Sequence, residues 1–375
     1  MIKIYTQQQR GETWLEKYRD RPVVFCCGLG FTETALIPNI SAAGATPESR
    51  KYTAIADAEC VHHGFQDNAI YPLPPLTVGA SPAILSRAII ETYDIPTYLF
   101  NTGLAITPDP KAVPLINVGG RPAQCVSTGQ ALPLKIVQHL FEQGLIWGKK
   151  LAEKYPGRSL VLGECVVAGT TTALAVLTAL GYAAKGKVNS SHLECNHDLK
   201  WQIVQQGLAK TQLSPSINPF KIIAAVGDPM QVFVAGMTIT ASQTNGVLLA
   251  GGTQMLAVYT LTRAIAKFHR HKFQAENITV GTTRWVAEDP TGDTIGLANL
   301  IGDVLLLATQ LNFQQSKYSQ LQAYEQGYVK EGVGAGGLAI AAVLGHGATQ
   351  DHLLYNTEKI FFPYTKKRSR KLSSR

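Results

Sequence analysis

The chain has 375 residues, 45% of them hydrophobic and 16% charged, which is ample for one large core or two smaller ones. Its formal net charge is +8, but the last ten residues, Lys366–Arg375, hold six Lys or Arg and no acid, and the rest carries 28 basic against 26 acidic residues. That balance excludes a nucleic-acid-binding body, and no apolar run approaches the ~18 residues that would span a bilayer.

Met1–Asp20 reads as a polar cap with a short amphipathic helix around Trp14–Tyr18, and Met1–Lys17 is too polar for a signal peptide. Pro22–Cys27 (PVVFCC) is a buried strand that runs into Gly28-Leu29-Gly30. A strand ending in G-x-G suggests a dinucleotide fingerprint. The third glycine position is Glu33, however, so a substrate-lining loop with Thr32 and Glu33 as hydrogen-bonding groups is preferred. Tyr52–Tyr71 holds Asp57, Glu59, Cys60, His62 and His63 at spacings that match no zinc pattern, and is read as polar loop. Pro72–Gly79 is an extended, proline-rich connection. Ala83–Thr92 is a helix and Thr97–Asn101 a strand. Asn117–Gln124 is a glycine turn that offers Arg121 to an anion, and Ala131–Tyr155 is a long helix ending before Pro156.

The rest of the chain is organised around Ser159–Tyr182, SLVLGECVVAGTTTALAVLTALGY. Leu160-Val161-Leu162 has the length and composition of a buried strand. Gly163, Glu164 and Gly169-Thr170-Thr171-Thr172 follow, and then Ala173–Leu180, apolar nearly all round as a buried helix should be. A strand, a glycine–threonine turn and a helix aim backbone N–H groups and hydroxyls at one spot, which suits a phosphate. Glu164 stands at the carboxyl end of the strand, where open parallel sheets place their ligands. A carboxylate there suits a sugar hydroxyl, a positive charge or a proton. Many such turns in α/β proteins bind nothing, so the segment alone leaves that reading open.

Farther on, His192, Glu194, Cys195, His197 and Asp198 again lack a metal spacing. A capped helix start explains Asn196-His197-Asp198 and puts Lys200 within reach of a phosphate. Lys221–Val226 is a strand entering Gly227-Asp228-Pro229, and Val232–Ala241 is a helix. Gly246–Ala250 is a strand entering Gly251-Gly252-Thr253, with a helix to about Lys267. Ile278–Gly281 is a strand and Gly296–Leu311 a helix. Glu331 precedes Gly332-Val333-Gly334-Ala335-Gly336-Gly337 and an apolar helix. Glycines there let the backbone approach a ligand, and a carboxylate at the mouth of a buried site can have its pKa raised towards that of a useful base. A glycine-rich helix-packing segment is the alternative.

The recurrence of strand, glycine and helix gives an α/β fold: a three-layer, mostly parallel Rossmann-like sheet with helices on both faces, plus a small helical subdomain from the chain ends. The expected layout is a nucleotide-binding domain over 21–345, accessory segments at 1–20 and 346–365, and a disordered basic tail over 366–375. Cys26, Cys27, Cys60, Cys125, Cys165 and Cys195 form no C-x-x-C pair and are read as reduced, in a cytosolic protein.

Together these segments resemble the nicotinate-nucleotide:dimethylbenzimidazole phosphoribosyltransferase family, most closely its archaeal and cyanobacterial branch. The resemblance runs through Thr32–Glu48 (TETALIPNISAAGATPE), Gly163–Thr172 (GECVVAGTTT), Leu199–Val204 around Lys200, Gly227–Gly236 (GDPMQVFVAG), Val247–Ala257 (VLLAGGTQMLA) and Glu331–Gly336 (EGVGAG). It covers most of the chain apart from the ends, and order and spacing carry it. It implies transfer of the ribosyl phosphate of nicotinate mononucleotide to a nitrogen of a benzimidazole-type base, releasing nicotinate, for cobamide lower-ligand assembly. By the same resemblance Glu331 matches the general base and Glu164 a second carboxylate in the site. Gly169–Thr172 and Lys200 match positions near the phosphate, and the glycine turns at Gly227, Gly251, Gly252, Gly332 and Gly334, with Asp228, belong to the substrate site. The resemblance implies a homodimer; one carboxylate base suffices for the chemistry, so no metal is required and no cofactor is expected.

The chemistry agrees with those roles. Pyridinium nicotinate is a good leaving group, so no acid is needed to expel it, and a carboxylate near the ribose can stabilise the charge that builds there. Transferases that use phosphoribosyl pyrophosphate usually carry adjacent acids before a Thr/Gly loop, whereas Cys165 follows Glu164. Bacterial members have a Gly-x-Gly-Asn-Thr-Thr turn where this chain reads Val166-Val167-Ala168-Gly169-Thr170-Thr171. The stretch near Tyr71–Ser81 does not match the base pocket, which leaves a benzimidazole or a purine as the acceptor. The rival readings are a non-catalytic nucleotide-binding protein on the same fold and a nicotinamide-dinucleotide oxidoreductase built on Val23–Gly30.

Overall fold

The structure is a computed structural model that describes residues 1–74, 78–211 and 218–373, with side chains described as far as Pro363. Part of the Pro72–Gly79 connection, and the side chains and last two residues of the basic tail, lie outside the described residues.

Eight strands form one sheet: β1 (Ile2–Ile4), β2 (Val23–Gly30), β3 (Thr97–Gly103), β4 (Ile116–Asn117), β5 (Ser159–Cys165), β6 (Val247–Ala250), β7 (Ile278–Thr283) and β8 (Leu306–Thr309). Their order is β1-β8-β7-β6-β5-β2-β3-β4, and every pairing is parallel except β1 with β8. From β2 the chain moves to β3 and β4 on one side, and from β5 to β6, β7 and β8 on the other. The strand order therefore switches between β2 and β5, where a crevice opens at the carboxyl ends. All eight residues of β2 are buried, as a parallel strand covered on both faces requires.

Alternate strand residues feed two cores. Val24, Cys26, Leu160, Leu162 and Leu249 pack under α4 (Leu134–Lys154), α5 (Gly169–Ala179), α6 (His197–Ala209), α7 (Pro219–Val226), α8 (Pro229–Ala241), α9 (Thr253–His269) and α11 (Thr294–Ile301). Phe25, Cys27, Val161, Leu248 and Leu307 pack under α1 (Gln8–Tyr18), α2 (Arg50–His63), α3 (Ala83–Thr92), α13 (Ala335–His346) and α14 (Gln350–Ser373). Single-turn helices α10 (Arg284–Ala287) and α12 (Ser319–Gln322) lie in the connections. The chain ends meet on the second face, where the amide of Asp20 donates to Leu344 O at 3.0 Å. Among the described residues no helix is long and apolar enough to cross a membrane.

Two glycines let α4 and α8 touch backbone to backbone. A Cβ at Gly144 would overlap the carbonyl of Phe233, and one at Gly236 would stand 2.5 Å from the carbonyl of Phe141.

Four sequence expectations change. Lys221–Val226 belongs to helix α7, because Asn218 caps Phe220 N at 3.0 Å and Pro219 pre-sets the first turn. A short apolar run does not distinguish a buried helix from a strand. The helix expected over Gly296–Leu311 stops at Ile301, where Gly302 turns at φ 90°, and its second half becomes β8. The polar loop expected from Tyr52 is α2, buried from Thr53 through Val61. The polar cap at Met1 begins with β1, which extends the sheet edge.

Candidate active site

A cavity of about 340 Å³ opens above the carboxyl ends of β5 and β6. Its floor is the turn from β5 into α5. Ala168 sits at φ 65°, so the chain reverses and α5 begins at Gly169 with its N-terminus at the cavity; Gly169 and Thr170 line it. That end of a helix carries unsatisfied N–H groups and partial positive charge, which favours an anion.

Glu164, near the carboxyl end of β5, faces the same space. Its Oε2 accepts the Val166 amide at 3.0 Å. Burial pushes its carboxyl up to about 8, and the charges of Asp228, Glu331 and Asp57 add to the shift. Burial thus favours the neutral acid, and a positive charge beside it would draw it back to the carboxylate.

Glu331 enters from the loop before α13. Its Oε2 accepts the Thr282 hydroxyl and the Thr283 amide, each at 3.0 Å, and its Oε1 accepts the amides of Gly332 at 3.1 Å and Gly336 at 3.0 Å. Burial raises its pKa, and these bonds to the charged form act against the rise. Glu331 thus joins the end of β7 to the start of α13 and presents an oriented carboxylate to the cavity. Gly336 has to be glycine, since a Cβ there would overlap Glu331 Oε2.

The other expected site residues divide. Gly252 and Gly332 line the cavity, and Gly251 sits just behind Glu164. Gly334, at φ 72°, packs on Phe25 rather than on the cavity. Thr171 and Thr172 are fully buried beneath the turn. Asp228, also fully buried, accepts the Thr172 hydroxyl at 2.5 Å and Gln254 Nε2 at 3.1 Å, and caps α8 through Met230 N and Gln231 N. Gly227 and Asp228 thus belong to a knot beneath the β5–α5 turn, behind the cavity wall. Lys200 is fully buried, and its Nζ donates to the Asn189 carbonyl; burial brings its pKa down to about 8. Thr32 is buried and caps the turn at Thr34, while Glu33 and Arg121 are exposed; none of the three lines the cavity.

Several cavity residues escaped the sequence reading. Asp57, buried on α2, accepts the Ser81 hydroxyl at 2.6 Å and the Cys165 thiol at 3.4 Å, and burial pushes its carboxyl up to about 6. Asn189, Ser190 and Ser191 form the wall beside α5, and Lys330 brings a cation to it. Burial of α2 from Thr53 through Val61 brings Asp57 to the cavity, and the acids set among small apolar residues in AIADAEC do not announce it by themselves. Among the described residues, no three His, Cys, Asp or Glu converge as a metal site.

Residues 92–278 match the family model described as phosphoribosyltransferase. The chain is 69% identical to a UPF0284 protein of Picosynechococcus sp. over 97% of its length and 99% of the relative's. It is 59% identical to one of Gloeothece citriformis, over 96% of each chain. The crystal structure of nicotinate-nucleotide–dimethylbenzimidazole phosphoribosyltransferase from Thermus thermophilus shares the fold, with a TM-score of 0.58 and 16% identity over 95% of this chain and 91% of that one. With its cavity above the carboxyl ends of β5 and β6, the chain belongs to the family of the cyanobacterial UPF0284 proteins, and its residues 92–278 carry the phosphoribosyltransferase match.

Proposed function

We propose that the chain transfers the ribosyl phosphate of nicotinate mononucleotide to a ring nitrogen of an aromatic base, for cobamide lower-ligand assembly. The observation that carries this reading is the convergence of Glu164 and Glu331 on one cavity whose floor is the N-terminus of α5. In this reading the phosphate sits at Gly169 and Thr170, beside Ser190. The lone pair of the base attacks C1′ of the ribose from the face opposite nicotinate. The C1′–N bond breaks, its electron pair stays on the pyridine nitrogen, and nicotinate leaves. Attack from that face inverts the β-nucleotide to an α-ribotide. The N–H proton of the attacking ring passes to Glu331, and Glu164, drawn to its charged form by the pyridinium and then by the ribose cation, steadies the transition state. A homodimer in the cytosol is part of the proposal; the dimer rests on the resemblance, and the cytosolic location on the reading of the six cysteines as reduced.

One observation favours the non-catalytic rival: both oxygens of Glu331 already hold two donors each, which weakens a base. Chromatography of purified protein with nicotinate mononucleotide and a panel of bases, dimethylbenzimidazole and adenine among them, separates the two. Base-dependent release of nicotinate supports the transferase. Nucleotide binding without release from any base supports the rival.

A further inference from the structure

The loop that carries Glu331 is strained. Five of the six residues from Val329 to Gly334 have positive φ, and three of those are not glycine: Val329 at 67°, Lys330 at 68° and Val333 at 52°. A β-branched residue in that region is an outlier that persists only where its surroundings over-determine it.

Here the surroundings include a buried ion pair. Lys330 Nζ lies 2.6 Å from Asp289 Oδ2, with the two side chains 3% and 2% exposed. The same oxygen accepts Asn189 Nδ2 at 3.0 Å, and Asn189 stands in the cavity wall next to Ser190 and Ser191. Asp289 Oδ1 accepts the amide and the hydroxyl of Thr291 at 3.0 and 2.9 Å. The Lys330 carbonyl accepts the hydroxyl of Thr283 at 2.7 Å, the residue whose amide also holds Glu331. A single buried carboxylate therefore ties the Glu331 loop to the wall beside the α5 N-terminus.

A buried ion pair adds little stability over an apolar pair of the same shape, but removing one partner strands a charge. What the pair adds at this position is registry. We propose that Lys330 and Asp289 are a positioning pair that fixes Glu331 relative to the phosphate of the bound nucleotide. The inference rests on the reading of Glu331 as the proton acceptor. Lys330 then acts through the loop, and its ammonium is spent on Asp289 rather than on the substrate.

The test compares full-length Lys330→Met, Asp289→Asn and the neutral pair Lys330→Gln/Asp289→Asn with the unaltered protein. Nicotinate release gives kcat, calorimetry gives the affinity for nicotinate mononucleotide, and thermal melting reports the fold. Each single variant is expected to lose about 100-fold in kcat, the scale of a small misplacement of a reacting group. Nucleotide affinity is expected to stay within about 3-fold, because binding and chemistry separate when only the base is displaced. The neutral pair, which keeps a hydrogen bond and strands no charge, should regain at least about tenfold of the loss. An affinity that falls in step with kcat would make Lys330 an anion ligand and overturn the inference, and so would single variants with unchanged kcat. An unaltered protein that releases no nicotinate with any base overturns the transferase reading and this inference with it. Release by the unaltered protein and by the variants alike overturns the inference alone.

Discussion

The amide of Val333 donates to the carbonyl oxygen of Glu164 at 3.1 Å. This bond stitches the loop of one cavity carboxylate onto the strand of the other, across more than a third of the chain. Glu164 and Glu331 are thereby held as a pair, although their side chains do different work: one is free to respond to charge in the cavity, the other is gripped by fixed donors.

Replacement of Glu331 by Gln should lower base-dependent nicotinate release by about 100-fold or more, the scale of a lost general base. Calorimetry should find nicotinate mononucleotide affinity within about 3-fold of the unaltered protein, since only the proton acceptor is removed. The amide's own N–H₂ would face donors at Thr283 N or Gly336 N, so a loss of about 1–2 kcal/mol in stability is also expected. Unchanged release would remove Glu331 from the mechanism.

Glu164 should govern the pH dependence. Its folded pKa is raised to about 8 from an ordinary 4.5, so the folded state holds a proton that the unfolded chain gives up. The associated stability is fully present below the unfolded value and declines as pH rises towards about 8. Glu164→Gln should therefore melt higher than the unaltered protein at pH 8–9, by up to a few kcal/mol, and the gap should close as pH approaches 5. In the activity profile, kcat/KM should rise with pH through an inflection near 8 that Glu164→Gln lacks. A melting difference that does not vary with pH would refute the assignment.

Asp228 should prove structural. Asp228→Ala strands Thr172, Gln254 and two α8 amides in a fully buried place, and denaturant unfolding should register a loss of about 3 kcal/mol. Asp228→Asn keeps the oxygen that caps α8 and should lose less than the alanine variant.

Gly336→Ala drives a methyl group into Glu331 Oε2 and the backbone at Thr282. The expected result is lost nicotinate release together with a melting temperature lowered by several degrees, as overpacking of about 1–3 kcal/mol produces. A variant that melts and turns over normally would show that the loop relaxes freely.

The sequence was most legible where one local segment carries the whole signal. Glu164 followed by the Gly169–Thr172 turn, and Glu331 followed by its glycines, each read as a carboxylate at the head of a helix, and both face the cavity. It was least legible where the site is assembled across the chain. Asp57 looked like one acid in a polar loop because nothing local says that α2 is packed on both sides. Lys200 follows its helix start as expected, yet its ammonium is claimed by the carbonyl of Asn189, as that of Lys330 is by Asp289. Asp228 follows an apolar run like a ligand-binding acid, but the run is a helix and the acid caps the next one. Side-chain type and spacing do not reveal which neighbour a buried polar group will meet.

The glycine contact between α4 and α8 has a bearing on how the molecule moves. At Gly144 and Gly236 no side chain separates the two backbones, so that crossing cannot slide without collision. It makes α8 a fixed abutment, and Asp228 at its head transfers that fixity to Thr172 and the turn from β5 into α5. In the proposed reaction, the opening that would admit substrate falls to the opposite wall, where Pro82 packs against Gly332.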